Sequence, residues 1–207
     1  MSVALTCARV AIFAFGIGAI PFGVLISRAF YNTDIRKSGS GNIGAANALR
    51  TLGKRGAIAV LVLDALKGLL PTLAIGLLFG PVLGPLPAAC AAIASVAGHC
   101  WSPFLGFKGG KGVATFLGAA VALWWPAGLA FAIVWGAVVL ACGYASVGSM
   151  LASLAMAPVL WFGIGRTGLA AGLICSLLIV VRHRENLGRL RRGTENRFTL
   201  LKAERQP

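Results

Sequence analysis

Carboxylates are scarce in this chain. Asp34, Asp64, Glu185, Glu195 and Glu204 are the whole supply, against 19 lysines and arginines and two histidines. That shortage removes several chemistries. Neither His99 nor His183 is followed five residues later by aspartate, because Phe104 and Gly188 stand there. The His-x-x-x-x-Asp arrangement, in which an acyltransferase histidine acts as general base, is therefore missing. A Ser–His–Asp triad could draw only on Asp34 and Asp64, and Asp64 falls about 12 Å inside an apolar helix at a rise of ~1.5 Å per residue. Cys7, Cys90, Cys100, Cys142 and Cys175 are scattered through apolar sequence with neither a CxxC pair nor zinc-ligand spacing, so no disulfide and no metal is expected. A Walker A loop is absent too. Lys111 follows Gly110, but Gly106 stands one position too close and Gly112 replaces the Mg²⁺-binding Ser/Thr. The βαβ context that a dinucleotide fingerprint needs is missing as well.

Apolar sequence is what the chain has in abundance: 58% hydrophobic residues and a mean hydropathy of +0.86. These values exclude an ordinary soluble domain. A membrane-crossing helix takes about 20 apolar residues, fewer where the segment is locally accommodated. Runs of this kind fall at 8–29, 56–80, 85–101, 112–124, 126–143, 148–164 and 167–182. The expectation is an all-α polytopic membrane protein with seven transmembrane helices and short cytoplasmic loop helices. It forms one domain over 1–207, with a basic cytoplasmic tail from about 183. Trp124-Trp125-Pro126 divides two spans, since Trp favours the interface and Pro a helix start. Arg9 precedes most of the first run, and no small-residue cleavage site is evident before Arg28, so that span is expected to be retained. Gly76–Gly80, Gly16 and Gly18 are expected to serve close helix packing. Asp64 and Lys67, three apart, are expected to pair within the membrane.

The basic residues lie mainly in three blocks, Arg36 to Arg55, Lys108 with Lys111, and Arg182 onward. Such placement follows the positive-inside rule rather than a nucleic-acid footprint, and anionic lipid headgroups and anionic substrates account for it. An odd number of spans then puts the N-terminus outside and the C-terminus in the cytoplasm, leaving only Arg9 and Arg166 as external cations.

Three polar segments share the cytoplasmic face. Phe107-Lys108-Gly109-Gly110-Lys111-Gly112-Val113-Ala114-Thr115 puts glycines and lysines directly before an apolar helix, where backbone amides and the helix N-terminus suit a phosphate. The stretch Ser38 to Arg50 (Ser-Gly-Ser-Gly-Asn-Ile-Gly-Ala-Ala-Asn-Ala-Leu-Arg) pairs a glycine-rich turn with helix formers from Ala45, and Arg50 could grip a phosphate through two parallel bonds. In the third segment, a helix from His183 to Leu190 would align His183, Asn186, Leu187 and Leu190 on one face. An interfacial tail helix on anionic lipid is the plainer alternative there. His99 reads as an interfacial structural residue.

Taken together these segments resemble the bacterial acyl-phosphate:glycerol-3-phosphate acyltransferase family. The likeness rests on Ser40-Gly41-Asn42-Ile43-Gly44-Ala45-Ala46-Asn47 with Arg50, on Gly98-His99 followed by Phe107 to Thr115, and on Arg182-His183-Arg184-Glu185-Asn186. It includes the Asp64-Leu66-Lys67-Gly68 region and keeps the motif order across about 36–200. It departs at Ala46, where the family usually has Thr, and at Trp101-Ser102 in place of Phe-Pro.

The resemblance implies an enzyme of the bacterial inner membrane with a cytoplasmic active site. It would transfer a fatty acyl group from acyl phosphate to the 1-hydroxyl of glycerol 3-phosphate, giving lysophosphatidic acid and phosphate in the first step of phospholipid synthesis. No cofactor and no metal is implied, since acyl phosphate is a co-substrate. The partners are these two substrates and membrane lipids, with no nucleic acid; the oligomeric state is left open, a monomer being sufficient. By likeness, Ser40, Asn42, Gly44, Asn47 and Arg50 belong to the glycerol-phosphate site. Lys108, Gly109, Gly110, Lys111, Gly112 and Thr115 belong to a phosphate loop. Ser146, with Ser149 close enough to share the assignment, His183 and Asn186 are the catalytic polar groups, and Glu195 closes the third motif. The proton acceptor is either the donor's own phosphate, the preferred reading, or His183. An anion transporter is the rival class, disfavoured because the glycine loops cluster at one face rather than near the midplane.

Overall fold

The computed structural model describes residues 2–198, and every regular element among them is a helix. Four stretches are long and apolar enough to cross a membrane: Val3–Tyr31, Gly53–Leu83, Leu86–Leu105 and Ala145–Arg182. Val113–Leu123 and Pro126–Cys142 are shorter apolar helices. Outward-facing side chains such as Leu140, Phe162 and Val82 are more than four-fifths exposed, as lipid-facing groups are in a chain whose apolar surface needs no water.

The first stretch is not the single helix expected over 8–29. It is α1, Val3–Gly18, followed by α2, Phe22–Tyr31. Pro21 has no N–H to donate, and its ring disfavours helical geometry at Ile20. The carbonyls freed by the break find donors on other helices. Ser102 Oγ donates to the Ala19 carbonyl at 2.6 Å, and Lys67 Nζ to that of Ile20 at 2.8 Å. Non-helical backbone at membrane depth persists only when it is satisfied in this way.

The chain continues through α3 (Ala45–Thr51), α4 (Gly53–Leu83), α5 (Leu86–Cys100), α6 (Val113–Leu123), α7 (Pro126–Cys142), α8 (Ala145–Arg182) and α9 (Arg184–Arg191). The Trp-Pro boundary falls as expected, with α6 ending at Leu123 and α7 starting at Pro126. α8 is broken within its length. Ile164 and Gly165 leave helical geometry, Gly165 at a φ of 63°, where a side chain would be strained. The second arm folds back on the first, so that Ser176 Oγ donates to the Ser153 carbonyl at 2.7 Å and Gly172 lies on Ala157. This break separates the two runs read as 148–164 and 167–182. The expected basic tail continues as α9 and an extended stretch to Phe198; its residues 199–207 lie outside the described residues.

Two close crossings hold the site in place. Gly18 of α1 lies on the Ser95 backbone of α5, while Gly98 meets the α1 backbone at Phe15. Gly68 of α4 lies on the Thr115 backbone of α6, and Gly118 on that of Ala65. The packing expectation therefore holds for Gly18 but not for its companions. Gly16 and Gly80 face open space, and Gly76 is at an ordinary 3.6 Å from Ala88, because no backbone crosses there. A methyl at Gly68 or Gly118 would overlap backbone. Gly68→Ala and Gly118→Ala are each expected to cost about 1–3 kcal/mol, read as a lowered thermal midpoint in detergent; an unchanged midpoint would contradict the crossing.

Candidate active site

The polar segment before α3 is organised around one side chain. Asn47 is 1% exposed, and its Nδ2 donates to the carbonyls of Ile35 (3.0 Å), Ser38 (3.1 Å) and Asn42 (2.8 Å), while its Oδ1 accepts from the Ser40 amide at 2.8 Å. Asn42 Oδ1 accepts from the Gly44 amide at 2.9 Å, closing an Asx turn that delivers Gly44 as the N-cap of α3. Gly39 packs on the Asn47 amide at a φ of +61°, so a side chain there is excluded twice. Asn47, Asn42 and Gly44 thus shape the turn, leaving Ser40 and Arg50 as the groups it presents.

The glycine loop is clamped from two sides. The Gly110 amide donates to the His99 carbonyl at 3.0 Å, and Gly109 lies on the backbone of His99 and Cys100. Arg182, at the end of α8, donates to the carbonyls of Gly109 (2.7 Å) and Gly110 (3.0 Å), with its guanidinium over the Trp101 ring. Gly112 then turns at a φ of 81° to start α6, whose first turn has no side-chain cap. Such a helix start offers unpaired amides to an anion.

A cavity of about 380 Å³ joins these segments to α8 and α9. Ser40, Asn42, Gly44, Asn47 and Arg50 form one wall, and Lys111 with Gly112 another. Ser146, Ser149, His183, Asn186 and Glu195 complete the polar side. Lys108, Gly109, Gly110 and Thr115 sit outside the lining. Lys108 is exposed, the two glycines are spent on the clamp, and Thr115 is buried in the α4–α6 crossing. Leu61, Val113, Leu117, Phe131 and Trp135 supply an apolar wall.

One hydrogen-bonded chain crosses the polar side. Lys111 Nζ donates to Asn186 Oδ1 at 2.5 Å, and Asn186 Nδ2 donates to Glu195 Oε1 at 2.5 Å. Glu195 also accepts from Ser146 Oγ at 2.9 Å and from Arg189 Nε at 2.7 Å. The stretch carrying Glu195 is fastened by the Phe198 amide to the Gly143 carbonyl at 2.7 Å, and by the Phe198 ring edge-on to Trp135. Ser149 is otherwise engaged, donating to the Ala145 carbonyl and accepting from Trp135 Nε1.

Burial pushes the Lys111 ammonium down to about 8, helped by the Arg189 charge and opposed by Glu195. Burial also lowers His183 to about 4, reinforced by Lys111 and opposed by the hydrogen bond to the Ile179 carbonyl. His183 Nδ1 is 2.8 Å from that carbonyl, which can only accept, so Nδ1 carries the hydrogen and Nε2 is left as an acceptor. Burial would raise the Glu195 carboxyl, but its hydrogen bonds from Asn186, Arg189 and Ser146 outweigh this and hold it below the usual range. Desolvation lowers Arg50, partly offset by Glu195.

Sequence reasoning did not place Asp64, His99 or the Arg189 that holds Glu195 in the site. His99, expected at the interface, is 3% exposed and lines the cavity with Asp64. Asp64 pairs with Lys67 at 2.7 Å as expected, and His99 Nδ1 stands 3.7 Å from the same carboxylate oxygen. The signal was the lone intramembrane charge pair; nothing in the spacing tied it to a histidine on another helix.

The sequence profile of the family described as glycerol-3-phosphate acyltransferase matches residues 8–193. A protein of that name from Gluconobacter oxydans is 47% identical over 196 residues, covering 92% of each chain. One from Cereibacter sphaeroides is 44% identical over 184 residues, covering 88% of this chain and 85% of its own. The crystal structure of PlsY (YgiH), an integral membrane glycerol 3-phosphate acyltransferase, superposes in its glycerol 3-phosphate form with a TM-score of 0.87 at 37% identity, covering 97% of this chain and 99% of that one. The lysophosphatidic acid form superposes with a TM-score of 0.83 at 36% identity, covering 95% and 97%.

Proposed function

Because this chain belongs to the glycerol-3-phosphate acyltransferase family and is a membrane acyltransferase, we propose that it moves a fatty acyl group from acyl phosphate to the 1-hydroxyl of glycerol 3-phosphate. The products are lysophosphatidic acid and inorganic phosphate. The observation that carries this reading is convergence: three segments far apart in sequence meet at one cavity with a cationic polar side and an apolar wall.

Each part has a role in the proposal. Arg50 and Ser40 hold glycerol 3-phosphate, gaining rate by orientation. Lys111 and the first-turn amides of α6 stabilise charge on the departing phosphate. Leu117, Phe131 and Trp135 take the acyl chain. The glycerol oxygen bonds to the carbonyl carbon, the bond from that carbon to the phosphate oxygen breaks, and the hydroxyl proton leaves on the phosphate. A histidine near 4 is a poor proton acceptor at neutral pH. This supports His183 as an orienting group whose Nε2 accepts from substrate, beside Asn186. Acyl phosphate is already an activated anhydride, so no cofactor or metal is required.

The chain is read as a single domain that crosses a bacterial inner membrane seven times, with the N-terminus outside and the site in the cytoplasm. The fold-back at Gly165 supports the odd count, since it turns α8 into two antiparallel arms. The polar residues given roles here all come from one copy, which supports a monomer as the working unit.

The Lys111 value sets a pH dependence. If phosphate binds only the ammonium form, KM for the phosphate donor rises about tenfold per unit above pH 8. Initial rates between pH 7 and 9.5 would show it, and a flat KM would remove Lys111 from the phosphate site. The donor is tested with purified protein in nanodiscs, given labelled glycerol 3-phosphate and palmitoyl phosphate, palmitoyl-CoA or palmitoyl acyl carrier protein. Lysophosphatidic acid from the phosphate alone is expected; product from either thioester would overturn the donor assignment.

A further inference from the structure

The mechanism above leaves one buried charged cluster unused. Asp64, Lys67 and His99 are each no more than 3% exposed. The Asp64 Oδ1 atom lies 2.7 Å from Lys67 Nζ, a charge contact, and 3.7 Å from His99 Nδ1, too far for a hydrogen bond. Lys67 is anchored in turn on the Ile20 carbonyl at the α1–α2 break. Packing alone gives no reason for three ionisable groups here, since burying charge costs stability unless it is fully compensated.

The position of His99 supplies a reason. Its carbonyl accepts the Gly110 amide at 3.0 Å, and its ring lies so close to Gly110 that a Cβ there would collide with Nε2. One residue therefore grips the glycine loop by backbone and ring together. The next residue, Lys111, reaches the cavity, where the His99 ring and Asp64 are also part of the wall. Nδ1 lies on the Asp64 side without a hydrogen bond to it, while the Nε2 edge of the ring meets the glycine loop.

We infer that His99 is a positioning residue for the Gly109–Lys111 turn, fixing where Lys111 and the start of α6 meet the donor phosphate. The inference rests on the functional reading above for the identity of that phosphate, but not for the clamp itself. Removing the ring frees the turn. The penalty falls on the substrate whose phosphate the turn holds, and not on glycerol 3-phosphate held by Arg50.

Two measurements on the full chain in nanodiscs test this. In amide hydrogen exchange, peptides covering 106–113 should exchange faster in His99→Ala than in wild type, with His99→Gln intermediate. In steady-state kinetics, His99→Ala should raise KM for palmitoyl phosphate about tenfold and that for glycerol 3-phosphate by less than about twofold. The split between the two KM values is the readout that a purely structural role does not move, and a double-mutant cycle checks the contact between ring and loop. Gly110→Ala collides with the ring, so the double variant His99→Ala/Gly110→Ala should be no worse than Gly110→Ala alone. Unchanged exchange, equal rises in both KM values, or additive losses would each overturn the inference. If wild type uses palmitoyl-CoA instead, the donor assignment falls, and the same comparisons run with that donor still decide the role of His99.

Discussion

Lys111→Met is expected to lower turnover roughly a hundred- to a thousand-fold, the range found when one preorganised charge-stabilising donor is removed. Methionine keeps an unbranched stem of similar bulk, so the change is mainly one of charge. Lys111 is the cation whose own position is fixed by the site, through Asn186 Oδ1 at 2.5 Å. Its surroundings already disfavour the charged form, holding it to about 8, so the incoming phosphate is the partner that restores the charge. Such an interaction is strongest when negative charge peaks on the departing group, which places the loss in kcat as well as in donor KM. A thermal midpoint within a few degrees of wild type would show that the fold is intact. Turnover close to that of wild type would remove Lys111 from the chemistry.

His183→Gln is expected to lower kcat/KM for glycerol 3-phosphate about ten- to a hundred-fold, the worth of one hydrogen bond to a polar or charged substrate. Most of the loss should appear in KM. His183 is neutral at physiological pH by virtue of its burial and the Lys111 charge. Its tautomer is fixed by the Ile179 carbonyl, which leaves Nε2 to accept from the substrate hydroxyl. The wild-type pH–rate profile should therefore show no histidine inflection between about pH 5 and 7.5. Complete loss of kcat with unchanged KM would instead make His183 the general base. A near-normal kcat/KM for glycerol 3-phosphate would deny it either role.

Much of this was legible in the chain, and the reasons are physical. Apolar runs announce helices because lipid forbids unsatisfied backbone. The division at Pro126 is readable from tryptophan and proline chemistry, and the one near Gly165 from the ends of two apolar runs. The break at Pro21 is masked in the sequence because the apolar run from Val10 to Ile20 resumes at once from Phe22 to Ile26; only Lys67 and Ser102, remote in sequence, make it tolerable. Arg50, Lys111 and Asn186 stand out by residue type and local pattern, Ser146 only by the family resemblance, and the fold brings them to one cavity. Lys108 and Thr115 carried the same local signal yet face elsewhere, since spacing along a loop does not say which side chains turn inward. His99 shows the opposite failure. Its partners, Asp64 and Gly110, lie on α4 and in the glycine loop, so its environment exists only after folding. Asn47 looked like a ligand-binding amide and serves as the hub of its turn, a distinction that rests on which carbonyls surround it.

The central claim is that one cavity holds both phosphates around a single carbonyl, and a structure of the protein with glycerol 3-phosphate and a non-hydrolysable acyl phosphonate tests it most directly. The account predicts the glycerol phosphate beside Arg50, the phosphonate beside Lys111 and the start of α6, and the chain against Phe131 and Trp135. Density for either phosphate outside that cavity, or a carbonyl beyond reach of the glycerol hydroxyl, would contradict it.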